Sequence, residues 1–165
     1  MSNTGLKRKG NEKYYTSDGV VKKLLVSYNK IVHKNDTDLW IEPSAGNGSF
    51  TMYLGDRNLI AYDIAPESDN IIKQDFLDLN LDIWSIPLHF IGNPPFGRQS
   101  SMAIQFIKRI TSCEKTKSLA FILPKSFKKD SMKRYFPLNF HLEHEEDVEK
   151  DGFVMEGTKI DVPCV

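Results

Sequence analysis

The sequence predicts an α/β fold: a Rossmann-like doubly wound sheet, mostly parallel, with an antiparallel C-terminal hairpin. Three observations predict it. Four short apolar runs stand apart in the chain: Leu39-Trp40-Ile41, Leu59-Ile60-Ala61-Tyr62, His89-Phe90-Ile91 and Leu119-Ala120-Phe121-Ile122-Leu123. Runs this apolar suit strands buried on both faces, as in a parallel sheet. Helical periodicity precedes the first run and separates the last two, giving the alternation of an α/β architecture. Each run is followed by Pro, Gly, Asn or Asp, where open α/β sheets carry their ligands.

Taken in order, residues 1–13 hold Lys7, Arg8, Lys9 and Lys13 with almost no apolar content. They read as a flexible basic tail, or as an arm for phosphate. Thr16 and Ser17 are both suitable N-caps. Behind them Val20, Val21, Leu24, Leu25, Tyr28, Ile31 and Val32 recur at three- and four-residue spacing, an amphipathic helix that the polar residues 34–38 end. Met102, Phe106, Ile107 and Ile110 mark the helix between the third and fourth strands. Phe140-His141-Leu142 is a candidate fifth strand. Residues 153–155 and 160–165, flanking Glu156-Gly157-Thr158-Lys159, read as a hairpin whose last strand is incomplete, so the chain is expected to be a fragment.

The 165 residues correspond to one domain, 14–165, with hydrophobic residues at 40% and charged residues at 27%. No apolar run approaches the roughly 18 residues of a membrane span, and no signal-peptide core is present, so a cytoplasmic location and no membrane partner are expected. Cys113 and Cys164 are too few and too far apart for a disulfide framework or a zinc site. His141-Leu142-Glu143-His144 lacks a third ligand, and no metal is expected. Lys and Arg number 22, as do Asp and Glu, which excludes nucleic-acid binding by bulk charge but not by a local basic face.

The residues that stand out all follow predicted strands. Glu42-Pro43-Ser44-Ala45-Gly46-Asn47-Gly48-Ser49-Phe50 is a turn whose glycines permit close backbone approach to a ligand, or simply a tight turn. A third dinucleotide-type glycine would fall at Thr51 and is missing, which argues against a nicotinamide cofactor. Asp63 ends the second strand about 20 residues after Glu42, where a carboxylate can accept both ribose hydroxyls or cap a loop. Asp75-Phe76 offers a carboxylate for an adenine amino group and a ring for its face; an acidic loop residue beside a core Phe is the plainer alternative. Asn93-Pro94-Pro95-Phe96-Gly97 is the strong signal, with chance occurrence on the order of one in a thousand at average usage. Two prolines stiffen the loop and remove two N–H donors. What remains is a set of acceptors suited to the –NH2 of a planar substrate, with Phe96 as a stacking ring or as a buried anchor of the loop.

These motifs, in this order and spacing, resemble class I S-adenosylmethionine-dependent methyltransferases of the N-P-P-[FY] amino-methyltransferase type. The resemblance covers residues 14 to about 142, and residues 91–107 with Pro124-Lys125-Ser126-Phe127 also resemble small uncharacterised methyltransferases of bacteria and large DNA viruses. It makes 14–165 a catalytic domain without a target-recognition domain. It implies S-adenosyl-L-methionine as cofactor, held by Tyr15, Thr16, Glu42, Pro43, Ser44, Ala45, Gly46, Asn47, Gly48, Asp63, Ile64, Asp75, Phe76 and Asn93. Tyr14-Tyr15-Thr16-Ser17 matches the N-terminal cofactor motif of gamma-type adenine methyltransferases, with Ser17 where that motif has proline. Asn93, Pro94, Pro95 and Phe96 match the catalytic motif.

The implied reaction methylates the exocyclic amine of adenine in DNA or RNA. Phe96, Lys125, Lys128 and Lys129 would contact that substrate, and a partner protein could supply target specificity. The lysine run is equally a solvated helix face, and the acidic residues 143–151 a solvated loop or a nucleic-acid-repelling one. A protein glutamine-amide methyltransferase, for which N-P-P-Y is the commoner motif, and a non-catalytic methyltransferase-like subunit that binds nucleic acid are the alternatives.

Overall fold

The computed structural model describes residues 15–155, 157–160 and 162–165; the basic tail and Tyr14 lie outside them. In chain order the elements are β1 (Tyr15–Thr16), α1 (Asp18–Ile31), β2 (Leu39–Glu42), β3 (Leu59–Asp63), β4 (Ile72–Lys73), β5 (Leu88–Gly92), α2 (Ser101–Thr111), β6 (Thr116–Phe121), α3 (Asp130–Lys133), β7 (Phe153–Met155) and β8 (Thr158–Ile160). Strands β2 to β6 form a parallel five-stranded sheet in the order β4-β3-β2-β5-β6. The chain leaves central β2 toward one edge and returns to the other side at β5, so the topological switch point lies between β2 and β5. The C-terminal hairpin is not part of this sheet. Strands β7 and β8 pair antiparallel with each other, and β7 pairs with β1.

Alternation along the strands divides the core into two layers. Trp40 and Ile91 face α1, where they meet Val20, Val21, Leu25 and Tyr28. Leu39, Ile41, Leu88 and Phe90 face the other way, against Phe76, Leu81, Phe106 and Ile110. Helix α2 contributes Ala103 and Ile107 to the first layer and Phe106 and Ile110 to the second. Helix α1 begins after Ser17, whose side chain makes no capping bond. Ser17 serves through its backbone: its carbonyl accepts from Val21 N at 3.0 Å, and its N–H donates to Gly152 O at 2.8 Å. The helix start is thereby tied to the hairpin. No helix among the described residues is long and apolar enough to cross a membrane.

Two expectations are corrected. Residues 140–142 form no strand: Leu142 is 66% exposed, and it is Cys164 that bridges to Pro124 just beyond β6. A single apolar triplet beside an acidic run has no second strand face to bury. The hairpin is also shorter than its apolar pattern suggests, with Met155 paired to Thr158 rather than strands spanning 160–165.

At the amino ends of the strands a hydrogen-bonded chain crosses the sheet. Trp40 Nε1 donates to Tyr28 Oη at 2.9 Å, and Tyr28 also bonds Ser118. Ser118 Oγ lies 2.7 Å from His89 Nδ1, and His89 Nε2 lies 2.9 Å from Asp38 Oδ2. A carboxylate only accepts, so Nε2 carries the hydrogen and, in the neutral ring, Nδ1 accepts from Ser118. The imidazole also stacks on Trp40 at 4.4 Å. Each ring nitrogen has a partner, as a tie between strands requires. His89→Ala is expected to destabilise the fold by about 1–3 kcal/mol, because Asp38 and Ser118 lose a buried partner. A urea midpoint unchanged from the parent would contradict this.

Candidate active site

The carboxyl ends of β2, β3 and β5 bring the predicted residues together at the switch point. After β2 the chain passes through the buried Pro43 into a turn with positive φ at Gly46 (+58°) and Gly48 (+86°), conformations that a side chain would strain. Asn47 closes the turn on itself, its side-chain oxygen accepting from Ser49 N at 3.2 Å and Ser49 Oγ at 2.6 Å. Ala45 is buried and its N–H donates to Tyr62 O at 2.8 Å. Asp63, 7% exposed, then fixes the turn from β3. Its Oδ2 accepts from Gly46 N and its Oδ1 from Ala65 N, both at 2.8 Å. The first bond ties the carboxylate to the glycine turn, and the second fixes it to the backbone that follows β3. Ile64, beside it, is 65% exposed.

Tyr15 covers the same turn. A Cβ on Gly46 would sit 3.4 Å from the Tyr15 ring. The Tyr15 hydroxyl donates to Glu67, whose N–H donates to Gly46 O at 3.1 Å. Burial, with the Glu67 carboxylate beside it, pushes the Tyr15 phenol well above its usual range. Nothing in the sequence marks Glu67 as part of this arrangement.

Glu42 is 2% exposed, and burial pushes its carboxyl up to about 8 despite a 2.5 Å bond from Thr51 Oγ1 to its Oε2. Thr51 thus holds the acid where a third glycine is missing. Gly92 makes room from β5, since a Cβ there would lie 3.2 Å from Glu42 Cγ. A folded-state pKa above the unfolded value of 4.5 has a definite sign: the unfolded chain releases the proton first. Stability therefore falls as pH rises from about 4.5 to about 8 and is flat above, as far as this group is concerned. Glu42→Gln should remove that slope, raising Tm relative to the parent above pH 8 and leaving it similar near pH 4. Parallel Tm profiles for the two proteins would contradict a buried neutral carboxyl.

Asn93 follows β5 directly, in the loop that faces the glycine turn. Ser44 Oγ donates to Asn93 O at 3.0 Å, joining the two loops across the switch point. The Asn93 Nδ2 donates to Thr16 Oγ1 at 3.4 Å, and Thr16 is 5% exposed, held in register opposite Phe153. That bond turns the amide so that Oδ1 points elsewhere. Among the described residues this Oδ1 is a buried oxygen with no hydrogen-bond partner. The other buried unpartnered side-chain atoms are Nε of Arg57 and of Arg109, guanidinium groups that donate through their terminal nitrogens. A bare buried acceptor is costly unless something supplies a donor.

Several predicted roles change. Phe76 is 1% exposed and packs on Phe90 and Phe106 at centroid distances of 5.9 and 5.0 Å, so its ring belongs to the core and offers no face to an adenine. Asp75 caps the turn after β4, with Oδ1 accepting from Leu77 N at 2.9 Å. Phe96 is 8% exposed within the α1-side core, so its ring anchors the loop instead of presenting a stacking face. Pro94 is buried and Pro95 exposed at the rim. Lys125 and Lys128 lie 3.8 and 3.0 Å from Asp147, and Lys133 lies 3.8 Å from Glu145. The acidic segment is neither solvated alone nor simply repulsive: it pairs with the basic one at the surface. Lys129 is exposed.

A cavity of about 870 Å³ opens at the opposite end of the sheet, against Asp38, His89 and Ser118. It belongs to the hydrogen-bonded tie described above and lies away from the switch point. Comparison of the chain with protein-family models and with curated proteins finds no match.

Proposed function

We propose that this protein is an S-adenosylmethionine-dependent methyltransferase acting on the exocyclic amine of adenine in DNA or RNA. One observation carries the proposal: a buried, partnerless amide oxygen, Asn93 Oδ1, at the carboxyl end of β5 and across from a glycine turn. An aromatic amine is a poor nucleophile because its lone pair is delocalised into the ring. An acceptor fixed on one of its hydrogens, with the Pro94 carbonyl as the second, localises that pair toward the methyl donor. Preorganised dipoles of this kind contribute a few kcal/mol each, and holding both reactants in one site adds more.

The surrounding residues fit the cofactor. Gly46 and Gly48 permit close backbone approach, Asp63 supplies a carboxylate tied to their turn, and Glu42 supplies a buried acid that a cation would favour in its ionised form. When bound, S-adenosylmethionine supplies an electrophilic methyl on a good leaving group. Thr16, which the family resemblance assigns to the cofactor, would also orient the Asn93 amide. The protein-glutamine alternative gains from the acid-paired lysines, whose charge is partly offset before a polynucleotide arrives.

Incubation with methyl-labelled S-adenosylmethionine and separate pools of DNA, RNA and unmethylated protein tests the proposal. Label in nucleic acid is expected. Label confined to protein, and located on glutamine by peptide mass spectrometry, would establish the glutamine reading instead, and label nowhere would contradict both.

A further inference from the structure

Resting on the nucleic-acid reading above, we infer that Arg98 is the phosphate contact by which this site selects an adenine within a polynucleotide over a free nucleoside. The first observation is backbone strain beside the catalytic loop. Gly97, Gln99 and Ser100 have φ of +71°, +51° and +63°, so two non-glycine residues in succession occupy the left-handed region. Such residues are strained and persist where the surroundings hold them, typically at functional sites.

The second observation is what holds them. The Phe96 carbonyl accepts from both Met102 N (3.0 Å) and Ala103 N (3.3 Å) at the start of α2. At Gly97 a Cβ would lie 2.6 Å from Met102 Cγ and 3.0 Å from Met102 N. The turn is therefore pinned at its root by Phe96, inside the core, and at its far end by the buried Ser100. Between those anchors residues 97–99 are exposed, and Arg98 is the cation they present, five residues from Asn93.

The third observation is a contrast of charge. Lys125, Lys128 and Lys133 are each within 4 Å of Asp147 or Glu145. Arg98, among the described residues, has no acidic partner. A phosphate arriving at Lys125, Lys128 or Lys133 must first displace a carboxylate; at Arg98 it need not. A guanidinium also matches a phosphate with two parallel N–H donors, which an ammonium cannot do. The neutral amine acceptors at Asn93 do not distinguish a nucleoside from the same base in a strand. A cation on the exposed turn that follows the Asn93 loop does, because only the strand carries a phosphodiester for it to meet.

The test compares the wild-type protein with Arg98→Ala and Arg98→Lys on a single-stranded adenine-containing oligonucleotide and on adenosine. Arg98→Ala should lower kcat/KM on the oligonucleotide about tenfold, the loss of one charge-assisted contact, and leave adenosine turnover and S-adenosylmethionine affinity unchanged. Arg98→Lys should recover part of the loss. Equal losses on both substrates, or none on the oligonucleotide, would overturn the assignment. Fluorescence anisotropy with the same oligonucleotide separates this from failure of the methyltransferase reading, since it requires no turnover. There Arg98→Ala should weaken binding about tenfold and reduce the slope of log affinity against log salt by about 0.7. Unchanged affinity and slope, or no binding by the wild-type protein, would overturn the inference.

Discussion

Asn93→Ala is expected to lower methyl transfer by about 10²–10³-fold, the usual consequence of removing one preorganised group at a reacting centre. The substitution deletes the buried Oδ1 and its amide but keeps the backbone carbonyl that Ser44 holds at 3.0 Å. The loop is also anchored by Phe96 in the core and by its carbonyl at the start of α2. Its position should therefore survive the change. S-adenosylmethionine affinity, measured by calorimetry, should stay within a few-fold. Tm should hold or rise slightly, because an unpartnered buried polar atom is removed. A loss of turnover that merely tracked a loss of cofactor binding would move Asn93 from catalysis to cofactor support.

Asp63→Ala should weaken S-adenosylmethionine binding by about 1–3 kcal/mol, the worth of charge-assisted hydrogen bonds to the ribose. The structure adds a second consequence that the sequence does not show. The Asp63 carboxylate also receives Gly46 N and Ala65 N, so its removal leaves two backbone donors without that acceptor and loosens the glycine turn. Tm without cofactor should fall along with affinity. Asp63→Asn, which keeps one oxygen acceptor, should fall between the parent and Asp63→Ala in both measurements. Calorimetric affinity for S-adenosylmethionine unchanged in Asp63→Ala would reject the ribose role, whatever happens to Tm.

The parts of this fold that show in the sequence are those with a repeating pattern. Helix α1 is visible because Val20, Val21, Leu25 and Tyr28 fall on one face, and four sheet strands because their apolar runs are bounded by turn residues. Strands β1 and β4 are two residues each, too short for any period to register. Residues 140–142 mislead because three residues carry no information about which sheet edge is vacant. Among the site residues, Glu42, Gly46, Asp63 and Asn93 stand out by type and spacing, and the fold brings them to one end of the sheet.

Ring direction is a different matter. Phe76 and Phe96 read equally well as stacking faces or core anchors until their neighbours are known, and both are core. Pairing across the chain is hidden for the same reason. Lys128 and Asp147 are 19 residues apart, and neither segment alone shows that one pairs with the other. The raised carboxyl of Glu42 follows from burial against Gly92, which outweighs the bond from Thr51 and is a property of the assembled sheet.

The most direct measurement is nucleoside mass spectrometry after incubating the wild-type protein and Asn93→Ala with S-adenosylmethionine and unmethylated DNA or RNA. Methyladenosine formed by the wild-type protein in one pool, and reduced at least about 10²-fold by the substitution, is the predicted result. Equal methyladenosine from both proteins would contradict the role of the buried amide oxygen, and none from either would contradict the adenine substrate.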